Sequence, residues 1–166
     1  MSLKPKIILL TGPVHSGKSN SLLNWAKMKR EQGARIGGLT NPSQDGEKWF
    51  ISAEFESSRK MNATDDEPAV RIGKYRFSAA AFAWARELLQ PELGGRYDYF
   101  LIDEIGKLEL KNIGLEPAVK GVFEFFQNNN ETTIVAIVRE SLLEDVIQHY
   151  GLEKFKVITK DELTNI

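Results

Sequence analysis

Eight consecutive residues, Gly12-Pro13-Val14-His15-Ser16-Gly17-Lys18-Ser19, constrain this chain more than any other stretch. They fit the spacing G-x-x-x-x-G-K-[ST], and their setting fits as well. Ile7-Ile8-Leu9-Leu10 ahead of them is an apolar run suited to a buried strand, and residues 20–31 behind them suit a helix that stops at Gly33. Gly12 and Gly17 let the backbone turn with no side chain in the way, so successive N–H groups can point inward at an anion. The helix that follows adds roughly half a positive charge at its N-terminus. A loop built this way cradles phosphate. Val14, His15 and Ser16 offer mainly backbone N–H groups, with Pro13 and Asn20 as flanking contact positions. Lys18 is placed to reach the β- and γ-phosphates of a nucleotide, and Ser19 to offer its hydroxyl to the accompanying Mg²⁺.

At 166 residues the chain suits a single domain, 1–166, that buries roughly two-thirds of its unfolded surface. Twenty-two basic residues against 23 acidic ones leave a net charge of −1, so nothing suggests bulk electrostatic binding to nucleic acid or to an anionic membrane. The absence of cysteine excludes a disulfide framework and a thiolate zinc site. The N-terminus lacks the apolar core of a signal peptide and no run approaches the ~18 apolar residues of a membrane span, so a cytoplasmic protein is the expectation.

Strands and helices alternate along the chain with one interruption. Residues 35–40 suggest a second strand, whose Gly37-Gly38 pair points to a bulge or a close backbone approach. In residues 41–77, Trp49, Ile51, Ala53 and Phe55 alternate with mostly polar neighbours. Val70 and Ile72 do the same before the parity shifts at Gly73, giving an antiparallel meander inserted at about residues 46–77. Asp65-Asp66-Glu67-Pro68 marks an exposed turn inside it. Ser78 then caps a helix with Ala81, Trp84, Ala85, Leu88 and Leu89 on one face, and residues 97–102 form a strand. Pro117 suits a first helical position ahead of Val119, Val122, Phe123 and Phe126. Residues 132–138 are a further apolar strand, Ser141 and Glu144 form a capping box for a helix to about His149, and residues 155–158 suggest a last strand. The pattern predicts an α/β fold of the P-loop NTPase type, with a mostly parallel central sheet flanked by helices on both faces.

The strand Tyr99-Phe100-Leu101-Ile102 delivers Asp103-Glu104 at its C-terminal end, where open α/β sheets bind ligands. Together with the phosphate loop this is a Walker B pattern. Asp103 is then the metal-holding carboxylate, through water, and Glu104 is the general base that polarises an attacking water.

The string Ile102-Asp103-Glu104-Ile105-Gly106-Lys107-Leu108-Glu109-Leu110 resembles the signature around Walker B in the small nucleoside-triphosphatase family often called cancer-related nucleoside-triphosphatases. Val70-Arg71-Ile72-Gly73-Lys74-Tyr75 resembles a second segment of that family, so three anchor points span most of the chain. The resemblance implies a P-loop fold with a mixed sheet and slow Mg²⁺-dependent hydrolysis of ATP, GTP and related nucleotides. After Gly38 this chain departs from the family, with Leu39-Thr40-Asn41-Pro42-Ser43-Gln44 in place of a Gly-Phe-x-Thr-like stretch rich in arginine and glycine.

Arg139, directly after an apolar strand, is a candidate sensor of the γ-phosphate and completes a catalytic set with Lys18 and Glu104. Arg59, Lys60, Lys74 and Arg76 either line a phosphate-side opening of the meander or simply face solvent from its edge. Thr159-Lys160-Asp161-Glu162 has Glu where a guanine-reading N/T-K-x-D pattern has Asp, and no guanine specificity follows from it. The leading expectation is a nucleoside triphosphatase. A small-molecule kinase, with Trp49, Phe50, Phe55, Tyr75 and Phe77 forming an acceptor pocket, is the alternative enzyme. A nucleotide-controlled binding module is the alternative from another class.

Overall fold

The computed structural model describes residues 6–128 and 131–166, so residues 1–5 and 129–130 of the expected domain lie outside the description. Five parallel strands form the centre of the sheet: β1 (Ile7–Leu10), β2 (Ile36–Thr40), β8 (Tyr99–Ile105), β9 (Thr133–Val138) and β10 (Lys156–Ile158). Their spatial order is β10-β1-β9-β8-β2. The parallel pairing follows from composition, because runs such as Ile134-Val135-Ala136-Ile137-Val138 have no polar face to give to water.

Both faces of the sheet are covered, and the side chains divide between them with period two. Leu9, Phe100, Ile102, Ile134, Ala136 and Val138 face one core. There they meet Phe82 and Ala85 of α2 (Ala79–Leu88), Val119 and Val122 of α4 (Ala118–Phe125), and Val146 of α5 (Leu143–His149). Ile8, Leu10, Tyr99, Leu101, Val135 and Ile137 face the other, against Leu22, Trp25 and Ala26 of α1 (Lys18–Glu31) and Leu163 from the C-terminal 3-10 turn Lys160–Asn165. Each fully buried aliphatic or aromatic side chain here contributes roughly 1.5–3 kcal/mol, which makes the sheet a firm base for its C-terminal edge.

The interruption is differently built from the single meander expected for residues 46–77. β3 (Ser43–Gln44), β4 (Glu47–Ser52) and β5 (Ser58–Lys60) continue the central sheet, because β4 runs antiparallel to β2 with Leu39 opposite Ser52 and Thr40 opposite Ile51. β4 then carries β3 on one stretch and β5 on another. Only β6 (Ala69–Ile72) and β7 (Tyr75–Ser78) stand apart, as a hairpin turning at Gly73. The alternation Trp49, Ile51, Ala53, Phe55 misleads because β4 stops at Ser52 and is buried on both faces there: Phe50 sits in the core beside Phe82, while Phe55 lies 73% exposed in the turn beyond.

Other boundaries moved for local reasons. The Ser78 cap forms as expected, its Oγ accepting the Ala81 N–H at 3.1 Å. The Ser141–Glu144 capping box does not form. A 3-10 turn over Glu140–Leu142 comes first, so Leu142 occupies the cap position of α5 with no side-chain cap. Pro117 occupies the cap position of α4 and the helix starts at Ala118. β8 runs on past residue 102 to Ile105, with its register against β9 shifting between Asp103 and Ile105. The short helix α3 (Lys107–Leu110) follows.

Gly37-Gly38 is the close approach that the sequence suggested. A Cβ on Gly38 would lie 2.1 Å from the Leu101 carbonyl oxygen, and its φ of +95° is one that L side chains rarely adopt. Gly38→Ala is therefore expected to push β2 off β8 and cost about 3 kcal/mol or more in a urea unfolding titration. A variant as stable as the parent would show that the two strands are not packed this tightly.

Candidate active site

The phosphate loop leaves the end of β1 already anchored on both sides. Thr11 donates its N–H to the Ile158 carbonyl at 3.0 Å and its hydroxyl to the Val138 carbonyl at 3.0 Å, so the strands β10 and β9 both hold the loop's root. The chain then passes through φ values of +155° at Gly12, +58° at His15 and +83° at Gly17 before α1 begins at Lys18. That sequence of left-handed turns is what aims backbone N–H groups into a concavity. Because α1 starts at Lys18 and not at Asn20, Lys18, Ser19 and Asn20 all lie in its first turn.

Lys18 folds across its own loop, its Nζ donating to the carbonyls of Gly12 at 3.1 Å and Pro13 at 2.8 Å. From the other side Lys160 Nζ donates to the Ser16 carbonyl. The Thr159-Lys160-Asp161-Glu162 string thus has a role in bracing the loop. Glu162 Oε1 meanwhile folds back to accept the N–H of Thr159 at 3.2 Å and its hydroxyl at 3.3 Å.

Val14, His15, Ser16, Gly17, Lys18, Ser19 and Asn20 line one cavity of about 270 Å³, together with Glu104 and Arg139. Gly12 and Pro13 shape it from behind through their carbonyls, without lining it. Asp103 does not line it but is buried beside the lining residues Glu104 and Asn41, 1% exposed, with Oδ2 accepting the Asn41 N–H at 2.8 Å. Burial pushes its carboxyl up to about 6, the neighbouring Glu104 charge pushes the same way, and hydrogen bonds from Asn41 and from the Ser19 side chain oppose them. Glu104 is turned to the cavity where the β8 register shifts, and its Oε1 lies 3.6 Å from Arg139 Nη2.

Behind Glu104, the next segment is fixed by a buried carboxylate. Glu109 Oε1 accepts the Gly106 N–H at 2.8 Å and its Oε2 accepts the Leu115 N–H at 3.0 Å, so one side chain ties both ends of the α3 turn. Burial pushes this group up to about 7, and the nearby Glu104 charge pushes the same way.

Three polar lining residues, Asn41, Ser43 and Lys48, and the apolar Ile137 were not singled out from the sequence as site residues. The polar three arrive through the antiparallel attachment of β4 to β2, which brings the start of the interruption over the C-terminal ends of β2 and β8. Asn41 Nδ2 donates to the Trp49 carbonyl at 3.0 Å, locking β4 to the residue that holds Asp103.

Of the basic residues of the interruption, Arg59, Lys60, Lys74 and Arg76 do not line this cavity. Arg59 stacks over Trp84 at 4.8 Å, Lys60 pairs with Glu47 at 2.8 Å, Lys74 lies over Tyr75 at 5.4 Å and Arg76 is 3.9 Å from Asp65. Nor do Trp49, Phe50, Phe55, Tyr75 and Phe77, the acceptor pocket of the alternative kinase reading, line the cavity. Lys107 begins α3 and is also outside the lining.

The family model described as NTPase matches residues 7–165. The chain belongs to the NTPase family. Two curated relatives are nucleoside-triphosphatases THEP1: that of Sulfolobus acidocaldarius is 27% identical, covering 98% of this chain and 95% of its own length. That of Methanopyrus kandleri is 27% identical over 70% of this chain and 66% of its own. Two solved structures share the fold. The solution structure of a human cancer-related nucleoside triphosphatase aligns with a TM-score of 0.66 and 16% identity, covering 98% of this chain and 95% of that one. The crystal structure of THEP1 from Aquifex aeolicus aligns with a TM-score of 0.64 and 17% identity, covering 96% and 95%. The activity that accompanies membership of the NTPase family is hydrolysis of nucleoside triphosphates.

A pH effect follows from Glu109. Its pKa is raised on folding from an ordinary 4.5 to about 7, so the folded state holds the proton more tightly than the unfolded chain does. The stabilisation is complete below the unfolded value and is lost as pH rises through the folded one. Between about pH 8 and about pH 5 the parent should gain on the order of 2 kcal/mol over Glu109→Gln in paired unfolding titrations. Parallel pH profiles would place the titrating group elsewhere.

Proposed function

We propose that the cavity binds a nucleoside triphosphate with Mg²⁺, ATP and GTP among its substrates, and that a water oriented by Glu104 attacks the γ-phosphate. The observation that carries this reading is convergence. One cavity joins residues 14–20 of the phosphate loop to the Glu104 carboxylate at the end of β8 and to Arg139 after β9. Nucleoside triphosphates are concentrated inside cells, so a cytoplasmic setting belongs to the same proposal. No helix of the described residues is long and apolar enough to cross a membrane.

The residues suit a hard divalent ion. Ser19 and Asp103 bring a hydroxyl and a carboxylate into contact beside the cavity, and both are oxygen donors. Among the described residues no group of three or more His, Cys, Asp or Glu gathers to form a cage. Mg²⁺ commonly takes one or two protein oxygens and completes its shell with phosphates and water. When bound it supplies charge neutralisation between the outer phosphates.

The protein's own groups do the rest. Backbone N–H groups of Val14 to Lys18 receive phosphate oxygens. Lys18 exchanges its carbonyl partners for a phosphate oxygen, a stronger charge-assisted bond. Glu104 accepts the water's proton as the new P–O bond forms and the β–γ bridge breaks. Arg139, paired with Glu104 while no phosphate lies between them, moves its charge to the departing phosphoryl group, where it is needed most in the transition state.

The metal and base roles separate by mutation. Lys18→Ala is expected to weaken nucleotide binding by more than about tenfold, and Asp103→Asn to lose Mg²⁺-dependent binding or turnover. Glu104→Gln should still bind nucleotide yet lose roughly 10²-fold or more in phosphate release, as when a general base is removed. Wild-type turnover in Glu104→Gln would move the base elsewhere.

A further inference from the structure

Three cations line the cavity, and two already have partners. Lys18 Nζ is held by the Gly12 and Pro13 carbonyls, and Arg139 by Glu104. Lys48 is the third, and among the described residues its side chain takes part in no salt bridge or hydrogen bond. Its position is nonetheless fixed. Its carbonyl accepts the Met61 N–H at 3.0 Å, it sits opposite Ser43 in the β3–β4 ladder, and the adjacent Trp49 is tied by its carbonyl to Asn41 and by its N–H to the Pro42 carbonyl at 3.0 Å. Its charge acts on the buried Asp103 carboxylate without a direct bond to it, so its N–H donors are left for an anionic ligand that enters the cavity.

Its place identifies which part of the ligand. The phosphate loop forms one wall of the cavity, and β4, joined to the sheet through β2, forms another on the far side of the Asp103-Glu104 strand end. The inference rests on the reading that this cavity takes a nucleoside triphosphate. In that frame the phosphates nearest α1 belong to the loop, and the terminal one lies towards Glu104, Arg139 and the β4 wall.

We propose that Lys48 binds the terminal phosphate of the nucleoside triphosphate, making it a catalytic residue and the means by which the site distinguishes triphosphate from diphosphate. The chemistry is a charge-assisted N–H···O⁻ contact with a γ-oxygen, which a diphosphate cannot supply. When the γ-phosphoryl group leaves, the contact leaves with it and the diphosphate is held only by the loop.

The test compares two ligands on the same variants. A non-hydrolysed ATP analogue and ADP, each with Mg²⁺, are titrated into the parent, Lys48→Met, Lys48→Arg and Lys18→Ala. Lys48→Met should weaken the triphosphate analogue about tenfold and change ADP by less than about twofold, with Lys48→Arg recovering most of the loss. Equal loss for both ligands, or no loss for either, overturns the proposal. The Lys18→Ala arm separates this from the reading beneath it: if that variant weakens both ligands while Lys48→Met spares both, the triphosphate site stands and only the role of Lys48 falls. If neither substitution affects either ligand, the site itself is wrong.

Discussion

A carboxylate buried at the end of an apolar strand is costly, and the organisation of this site depends on how Asp103 is accommodated. At 1% exposure it accepts the Asn41 N–H, bonds the Ser19 side chain and feels the Lys48 charge. Those two contacts join β8 to the residue after β2 and to the first turn of α1. They give the buried carboxylate the polar partners that its burial demands. The same contacts fix the distance between the phosphate loop and the strand end, the spacing on which phosphoryl chemistry depends.

The loop itself is held from outside. Thr11 ties its root to β9 and β10, Lys160 reaches its Ser16 carbonyl from the C-terminal turn, and Leu163 of that turn packs in the core with Leu22 and Trp25 of α1. The loop proposed to cradle the phosphates is therefore held by the body of the fold, which would leave less of a ligand's binding energy to be spent on ordering it. Glu109 does the equivalent service behind Glu104 by holding Gly106 and Leu115.

Much of this was legible in the sequence because it is local. The phosphate loop, the strand ending in Asp103-Glu104, the Ser78 cap and the tight fit at Gly38 each declare themselves within a few residues. What stayed hidden depends on pairing across distance. Nothing in the alternation of residues 46–77 says that β4 will join β2, yet that pairing brings Lys48 to the cavity beside Asn41 and Ser43. The same long-range packing placed Phe50 in the core and Arg59, Lys60, Lys74 and Arg76 on aromatic rings and carboxylates. Ser141 shows the converse: its spacing to Glu144 is right, but a 3-10 turn takes the position first.

The central claim is that water, activated at Glu104, attacks the γ-phosphorus. Turnover of Mg·ATP in ¹⁸O-enriched water, with the products read by mass spectrometry, tests it most directly. The account predicts ¹⁸O in the inorganic phosphate released and none in the ADP. Label in the β-phosphate of ADP, or ADP formed with no labelled phosphate, would contradict it.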